Sequence, residues 1–266
     1  MGVTTKIPYC DSSWNPISGC YHNCEYCYAR RIANRFDGGL GEGNGVYVLD
    51  EPICPQKPIG NRGAFLIGKP MPYPYGFRPT YHRYRLNVPQ LWVKPRNIFV
   101  CSMADLFGDW VEDEWIDEIM QACRKAPQHR YLFLTKNPDR YDDLENKGII
   151  KNTDQNFWLG STVTVETRDK MHYNSFLHTF QSCEPMLAPW PPAGQVNQYS
   201  LMKNWLPEWV IFGAETGNRR NKVVPEKSWL DNAVEMCRNM GAKVFMKESL
   251  REIMGDDFIQ EFPWDT

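Results

Sequence analysis

Long apolar stretches are missing from this 266-residue chain: no run of 18 apolar residues occurs, so no segment is long enough to cross a bilayer as a helix. Met1 to Tyr9 lacks an apolar secretory core, and a signal peptide is not expected. Histidine is scarce, with five in all, and no two have the spacing of a metal-binding pair. Acidic residues are absent between Glu51 and Asp105. That gap holds Lys57, Arg62, Lys69, Arg78, Arg83, Arg85, Lys94 and Arg96, a local charge of +8 within a chain whose net charge is −2. Residues 249–266 form an acidic extension carrying Glu252, Asp256, Asp257, Glu261 and Asp265. Nine cysteines without an export signal point to a reducing compartment, the cytoplasm, and to thiol or metal chemistry instead of a disulfide frame. Neither an internal repeat nor a low-complexity tract interrupts the chain.

What is present is concentrated near the amino terminus. Cys20, Cys24 and Cys27 are spaced C-x₃-C-x₂-C and run straight into Tyr28-Ala29-Arg30. Three thiolates within eight residues can hold three irons of a [4Fe–4S] cube and leave the fourth iron open to another ligand. A structural zinc site needs four protein ligands, which this stretch supplies only if His22 or a distant cysteine joins. Cys10 and Cys54 flank the loop and offer a second metal site. Cys123 and Cys237, on apolar helix faces, and Cys101, within a strand, read as core.

From residue 97 onward a short apolar run, a polar turn and a helical stretch alternate. The runs cover 97–103, 130–135, 157–163, 178–183, 209–214 and 243–246, and several are apolar on both parities, as parallel strands covered on two faces are. Trp115, Ile116, Ile119, Met120 and Cys123 form one helical stripe ended by Pro127. Trp229, Leu230, Ala233, Val234, Cys237 and Met240 form another, with Gly241 as its stop. Residues 12–18 supply a first strand, 28–36 a first helix, and 77–82 a strand that brings the count to eight. The expectation is one α/β domain over residues 1–266: a complete or partial (β/α) barrel of six to eight strands. Residues 40–76, rich in Gly and Pro, form an irregular insertion after the first helix.

In such barrels reactive groups sit at the carboxyl ends of strands. Those ends carry Ser102 and Asp105, Thr135 and Lys136, Ser161 and Thr162, Cys183 and Glu184, Glu215 and Thr216, and Lys247 and Glu248. Short polar residues there also cap helix starts, so each has a structural reading beside the functional one. Glu184 and Glu215 stand out, since each ends a strongly apolar strand inside a short turn.

The cysteine spacing, with aromatic Tyr26 before the last cysteine, resembles the radical S-adenosylmethionine superfamily. The resemblance implies a (β/α) barrel of that type and a [4Fe–4S] cluster on Cys20, Cys24 and Cys27. It also implies S-adenosylmethionine on the open iron, an external electron donor, and a 5′-deoxyadenosyl radical that abstracts hydrogen from a substrate. Cofactor contacts would come from Tyr26, Ser102, Asp105, Lys136, Thr162, Glu184 and Glu215; Cys183, Glu184 and Glu215 would serve catalysis, Cys183 as a hydrogen-atom donor. Trp14-Asn15-Pro16, Ser102 to Phe107, Leu134-Thr135-Lys136, Ser182 to Pro185 and Gly213-Ala214-Glu215 also recur in order in a phage-associated family of unknown function, which this chain resembles from Trp14 to Lys247. Ala214 and Thr216 depart from that family's usual Gly-Gly-Glu-Ser-Gly turn, and the superfamily's Gly-Gly-Glu element after the second strand is not evident, so the contact to the methionyl amine is unassigned.

Residues 77–96 interleave Arg78, Arg83, Arg85, Lys94 and Arg96 with Tyr81, Tyr84 and Trp92, a pattern that suits phosphates and stacked bases. The same pattern describes a solvated face whose rings serve the core. Two functions therefore compete. One is a cluster-dependent enzyme acting on an unknown substrate, a nucleotide or nucleic acid among the candidates. The other is a non-catalytic zinc- or cluster-stabilised binding or sensor protein of phage or mobile-element origin.

Overall fold

The computed structural model describes residues 5–59, 64–164, 176–190, 207–216 and 219–265. Its centre is a seven-stranded, all-parallel sheet of β1 (Ser12–Trp14), β7 (Asn97–Val100), β8 (Arg130–Thr135), β9 (Phe157–Thr162), β10 (His178–Cys183), β11 (Trp209–Phe212) and β12 (Lys243–Met246), in that spatial order. The helices are α1 (Tyr28–Arg35), α2 (Asp113–Arg124), α3 (Asp139–Asn146), α4 (Lys227–Met240) and α5 (Arg251–Met254). This is the partial (β/α) barrel expected of the radical S-adenosylmethionine type. Among the described residues, no helix is long and apolar enough to cross a membrane.

Strand parity sorts the side chains into two layers. Ile98, Val100, Tyr131, Phe133, Phe157 and Leu159 pack outward with Ile116, Ile119, Met120 and Cys123 of α2 and with Tyr141 and Leu144 of α3. Val210, Phe212, Val244 and Met246 pack outward with Leu230, Ala233 and Cys237 of α4, which Gly241 ends at φ +77°. Facing inward are Phe99, Leu132, Trp158, Phe180, Trp209, Ile211 and Phe245, closed by Tyr9. Tyr9 makes edge contacts with Phe99, Trp209 and Phe245 at 5.7–6.0 Å, joining the first and last parts of the sheet. Gly160 makes this interior possible, because a Cβ there would meet the Phe180 ring at 2.3 Å.

The barrel stays open. Residues 77–82 do not supply an eighth parallel strand: β6 (Thr80–His82) pairs antiparallel with β2 (Ile17–Ser18) and parallel with β3 (Tyr47–Leu49) in a separate three-stranded sheet. With β2 on one side and β3 on the other, β6 has no edge left to join the parallel sheet. The other open edge, β12, is covered by the acidic tail, where Met246 N–H donates to Ile259 O and Glu261 N–H to Val244 O. The Gly/Pro-rich insertion is more ordered than its composition implies, carrying β3 and the antiparallel pair β4 (Gln56–Ile59) and β5 (Ala64–Ile67), whose connection lies outside the described residues.

Candidate active site

A cavity of about 450 Å³ opens at the carboxyl ends of the strands, above the plug of inward aromatic rings. Cys20, Cys24 and Cys27 all line it. Their loop leaves β2 through Gly19, at φ +87°, where a Cβ would lie 2.1 Å from the Arg78 carbonyl oxygen; only glycine fits. Gly19 N–H then donates to Met103 O at 2.9 Å, tying the loop to the segment after β7. Asn23 takes a left-handed conformation at φ 55°, and Cys27 closes the loop as the cap of α1, its sulfur accepting from Arg30 N–H.

Burial pushes the Cys20 thiol up to about 12, with the charge of Asp105 and the neighbouring Cys24 and Cys27 adding to the effect. Metal binding needs thiolates, so a cation here would displace protons. Among the described residues, no three Cys, His, Asp or Glu side chains gather closely enough to hold a single ion. His22 is half-buried and held in place. Its Nε2 bonds Asp105 Oδ2 at 2.8 Å, and its ring packs edge-on against Trp110. A tetrahedral zinc site needs four ligands on one centre. A cube takes one thiolate per corner iron, and three cysteines border this cavity. Cys10 donates its thiol to Ile7 O at 3.8 Å.

The strand-end residues divide by what they touch. Asp105 is buried and saturated: it accepts from Thr135 Oγ1 at 2.7 Å, Lys136 N–H at 2.9 Å, Phe107 N–H at 3.0 Å and His22. It therefore holds three cavity-lining segments together, with no lone pair left for a ligand. Lys136 extends over the Tyr26 ring, 4.8 Å from its centroid, and contacts the Tyr26 hydroxyl. Burial pulls the ammonium down, but Tyr26 and Cys24 outweigh it and hold the group above its usual range. Ser102 Oγ donates to Asn15 Oδ1 at 3.1 Å, and Ser102 O accepts from Tyr28 Oη at 2.6 Å. Thr162 lies on the cavity wall.

Glu184 forms an ion pair with Lys247 across the tip of β11. Gly213 leaves the room for it, since a Cβ there would sit 3.0 Å from Glu184 and 3.1 Å from Lys247. Lys247, placed at a strand end by the sequence but given no role there, is a wall residue, and so is Tyr9, which the sequence reading did not select. Glu215 lines the cavity with its carboxylate turned to Arg219, at 2.6 and 2.7 Å. Arg219 also reaches Glu25, inside the cysteine loop, at 3.1 Å. Arg219 holds the Glu215 carboxyl below its usual range despite burial. Gly217, the last residue of that turn motif, lies outside the described residues.

The expectation for Cys183 needs correcting. Cys183 does not face the cavity: it is one residue out of phase with Ser182 and packs with Val210, Phe212 and Cys237 in the layer beneath α4. Burial raises its thiol well above the ordinary value. In residues 77–96 most of the cations have partners within the molecule. Arg78 donates to Gly43 O, Arg83 pairs with Asp50 and Glu118, Arg85 donates to Asn15 O, and Arg96 donates to Ser12 Oγ. Tyr81 is fully buried against Trp115. Only Lys94 of the five cations named there stands without such a bond among the described residues.

The fold and the cavity define an α/β partial-barrel protein with a three-cysteine loop at the strand tips. Residues 4–252 match the family described as protein of unknown function (DUF5131), and the chain belongs to that family. No curated protein matches it. Among solved structures it is similar to spore photoproduct lyase complexed with dinucleoside spore photoproduct, at 9% identity and TM-score 0.52, over 93% of this chain and 79% of that one. A tyrosine-to-phenylalanine variant of that lyase matches at 10% identity and TM-score 0.52, over 92% and 78%. At such identities the likeness is one of fold.

Proposed function

We propose that the protein is an iron–sulfur enzyme of the radical S-adenosylmethionine type, acting on a nucleotide-like substrate. The carrying observation is that Cys20, Cys24 and Cys27 open on a cavity that also receives the carboxyl ends of the parallel strands. The fold shared with a lyase whose structure holds a dinucleoside supports the substrate class. When bound, a [4Fe–4S] cluster on these cysteines supplies the electron that splits the sulfonium of S-adenosylmethionine, an external donor having charged it.

The chain's own residues bind, orient and exclude water. Lys136, braced on Tyr26 beside Cys24, offers a fixed cation to a carboxylate or phosphate. Ser102 and Thr162 present hydroxyls to the same space. Glu184 and Lys247 form a polar pair that can exchange its internal bond for one to a ligand ammonium or hydroxyl. Asp105 and Glu215 are positioning residues: one fixes Thr135, Lys136 and His22, and the other, through Arg219, secures the cysteine loop from the far side of the cavity. The aromatic plug below, from Tyr9 to Phe245, keeps water from entering through the opposite end.

Anaerobic purification and reconstitution test this reading. A brown protein with about four irons per chain is expected, with the colour bleached by dithionite. Added S-adenosylmethionine should then yield 5′-deoxyadenosine, and Cys24→Ala should abolish both iron retention and product. A colourless protein holding one zinc would replace the enzyme with a metal-stabilised binding module.

A further inference from the structure

Helix α1 is built inside out. Its buried residues are the small Ala29 and Ala33, while Tyr28 and Ile32, and Phe36 at its carboxyl cap, follow one another at intervals of four and are 48%, 40% and 53% exposed. Single exposed apolar residues are ordinary, but a contiguous row on a helix marks a contact surface. The same helix carries Arg30, Arg31 and Arg35 and no acidic residue. Arg30 and Arg31 lie in its amino-terminal half, where the helix dipole disfavours cations, so helix stability does not account for them. Arg31 and Arg35 are exposed and have no carboxylate partner among the described residues. Arg35 lies 5.7 Å from the Phe36 ring centre and Arg30 5.6 Å from that of Phe77. The row starts at the cavity rim, since Tyr28 lines the cavity and its hydroxyl is fixed on Ser102 O.

We infer that this face of α1 binds single-stranded nucleic acid and leads it to the cavity, so that the substrate is a nucleotide within a polymer and not a free one. The inference rests on the nucleotide-like substrate proposed above. Arg31 and Arg35 would take phosphates, while Tyr28 and Phe36 would stack on bases. An acidic protein could meet the arginines, but guanidinium groups alternating with exposed rings and ending at a cavity favour a polyanion that carries flat bases.

Fluorescence anisotropy with a labelled mixed-sequence 12-mer DNA, on the reconstituted protein and on protein without iron, tests it. Retention is expected in both forms, which separates this result from the 5′-deoxyadenosine assay. Joint Arg31→Ala and Arg35→Ala substitution should weaken retention about tenfold at low salt and lower the salt slope by about 1.4, the share of two phosphates on a single strand. Phe36→Ala should weaken retention with the slope unchanged, and Arg31→Lys with Arg35→Lys should restore most of the slope. Lys125→Ala with Lys151→Ala, basic residues on a different groove, should change nothing. Absence of retention by the unmodified protein overturns the inference, as does retention indifferent to the α1 changes. Displacement by polyglutamate as effective as by unlabelled DNA would also overturn it, because the face would then read acidic charge without bases.

Discussion

Arg83 and Arg31 both sit among aromatic residues in acid-free stretches of sequence, yet the fold uses them oppositely. Arg83 is held by Asp50 at 2.8 Å and Glu118 at 3.0 Å, above the ring of buried Tyr81. Around it the segment is sewn into the molecule: Trp14 Nε1 donates to Arg85 O, and His82 N–H donates to Pro16 O. Arg31 projects from a helix that buries alanines and leaves its large residues outside. A basic-aromatic pattern therefore says that cations and rings will meet, but not whether they meet each other or a partner. The deciding quantity is whether carboxylates and carbonyls from elsewhere reach the cations first.

That contrast can be broken most forcefully at Tyr81. Replacing it with Ala empties a fully buried site against Trp115 and leaves Glu118, to which its hydroxyl donates at 2.5 Å, with Arg83 alone. A loss of about 3–5 kcal/mol is expected in chemical denaturation, with oligonucleotide retention by the folded fraction unchanged. Gly160→Ala, which drives a methyl into the Phe180 ring, should cost about 1–3 kcal/mol by the same measurement, a check on how tightly the barrel plug is packed. Arg83→Ala breaks only half-exposed pairs and should cost no more than about 1 kcal/mol. Arg31→Ala should leave the denaturation midpoint where it was and act only on binding. If Arg83→Ala weakened DNA retention as much as Arg31→Ala, the two regions would not differ as described.

The smallest effect concerns acid. Arg219 depresses the folded-state titration of Glu215 below its ordinary 4.5, against the opposing effect of burial. A carboxylate depressed in this way contributes stability that is fully present above its ordinary value and drains away as the pH falls through the folded one. Thermal midpoints of the wild type should therefore drop as the pH falls below 4.5. Glu215→Gln should shallow that limb and loosen the cysteine loop, seen as faster proteolysis near Glu25.

Much of the scaffold was legible because its signals are local. Strands 130–135, 178–183 and 243–246 begin and end where their apolar runs do, and Gly241 stops α4 as a left-handed cap. β6 misled because three apolar-compatible residues say nothing of direction, and its antiparallel match to β2 depends on where the chain turns at residues 19 and 79. Around the cavity, Cys183 and Glu184 are adjacent in sequence and end on opposite sides of the sheet, a matter of strand phase at the last residue. Asp105 read as a ligand and became a hub, because its four donors come from residues 22, 107, 135 and 136, which only the fold brings together.

The order of elements and the trio of thiols were written into the sequence by itself, since periodicity and an eight-residue ligand spacing need nothing beyond neighbouring residues. Tertiary structure alone decided which charges are spent inside the molecule and which remain free. Ion pairs such as Arg219 with Glu25 join residues 194 positions apart, and their energy exists only once the chain has brought them within about 3 Å.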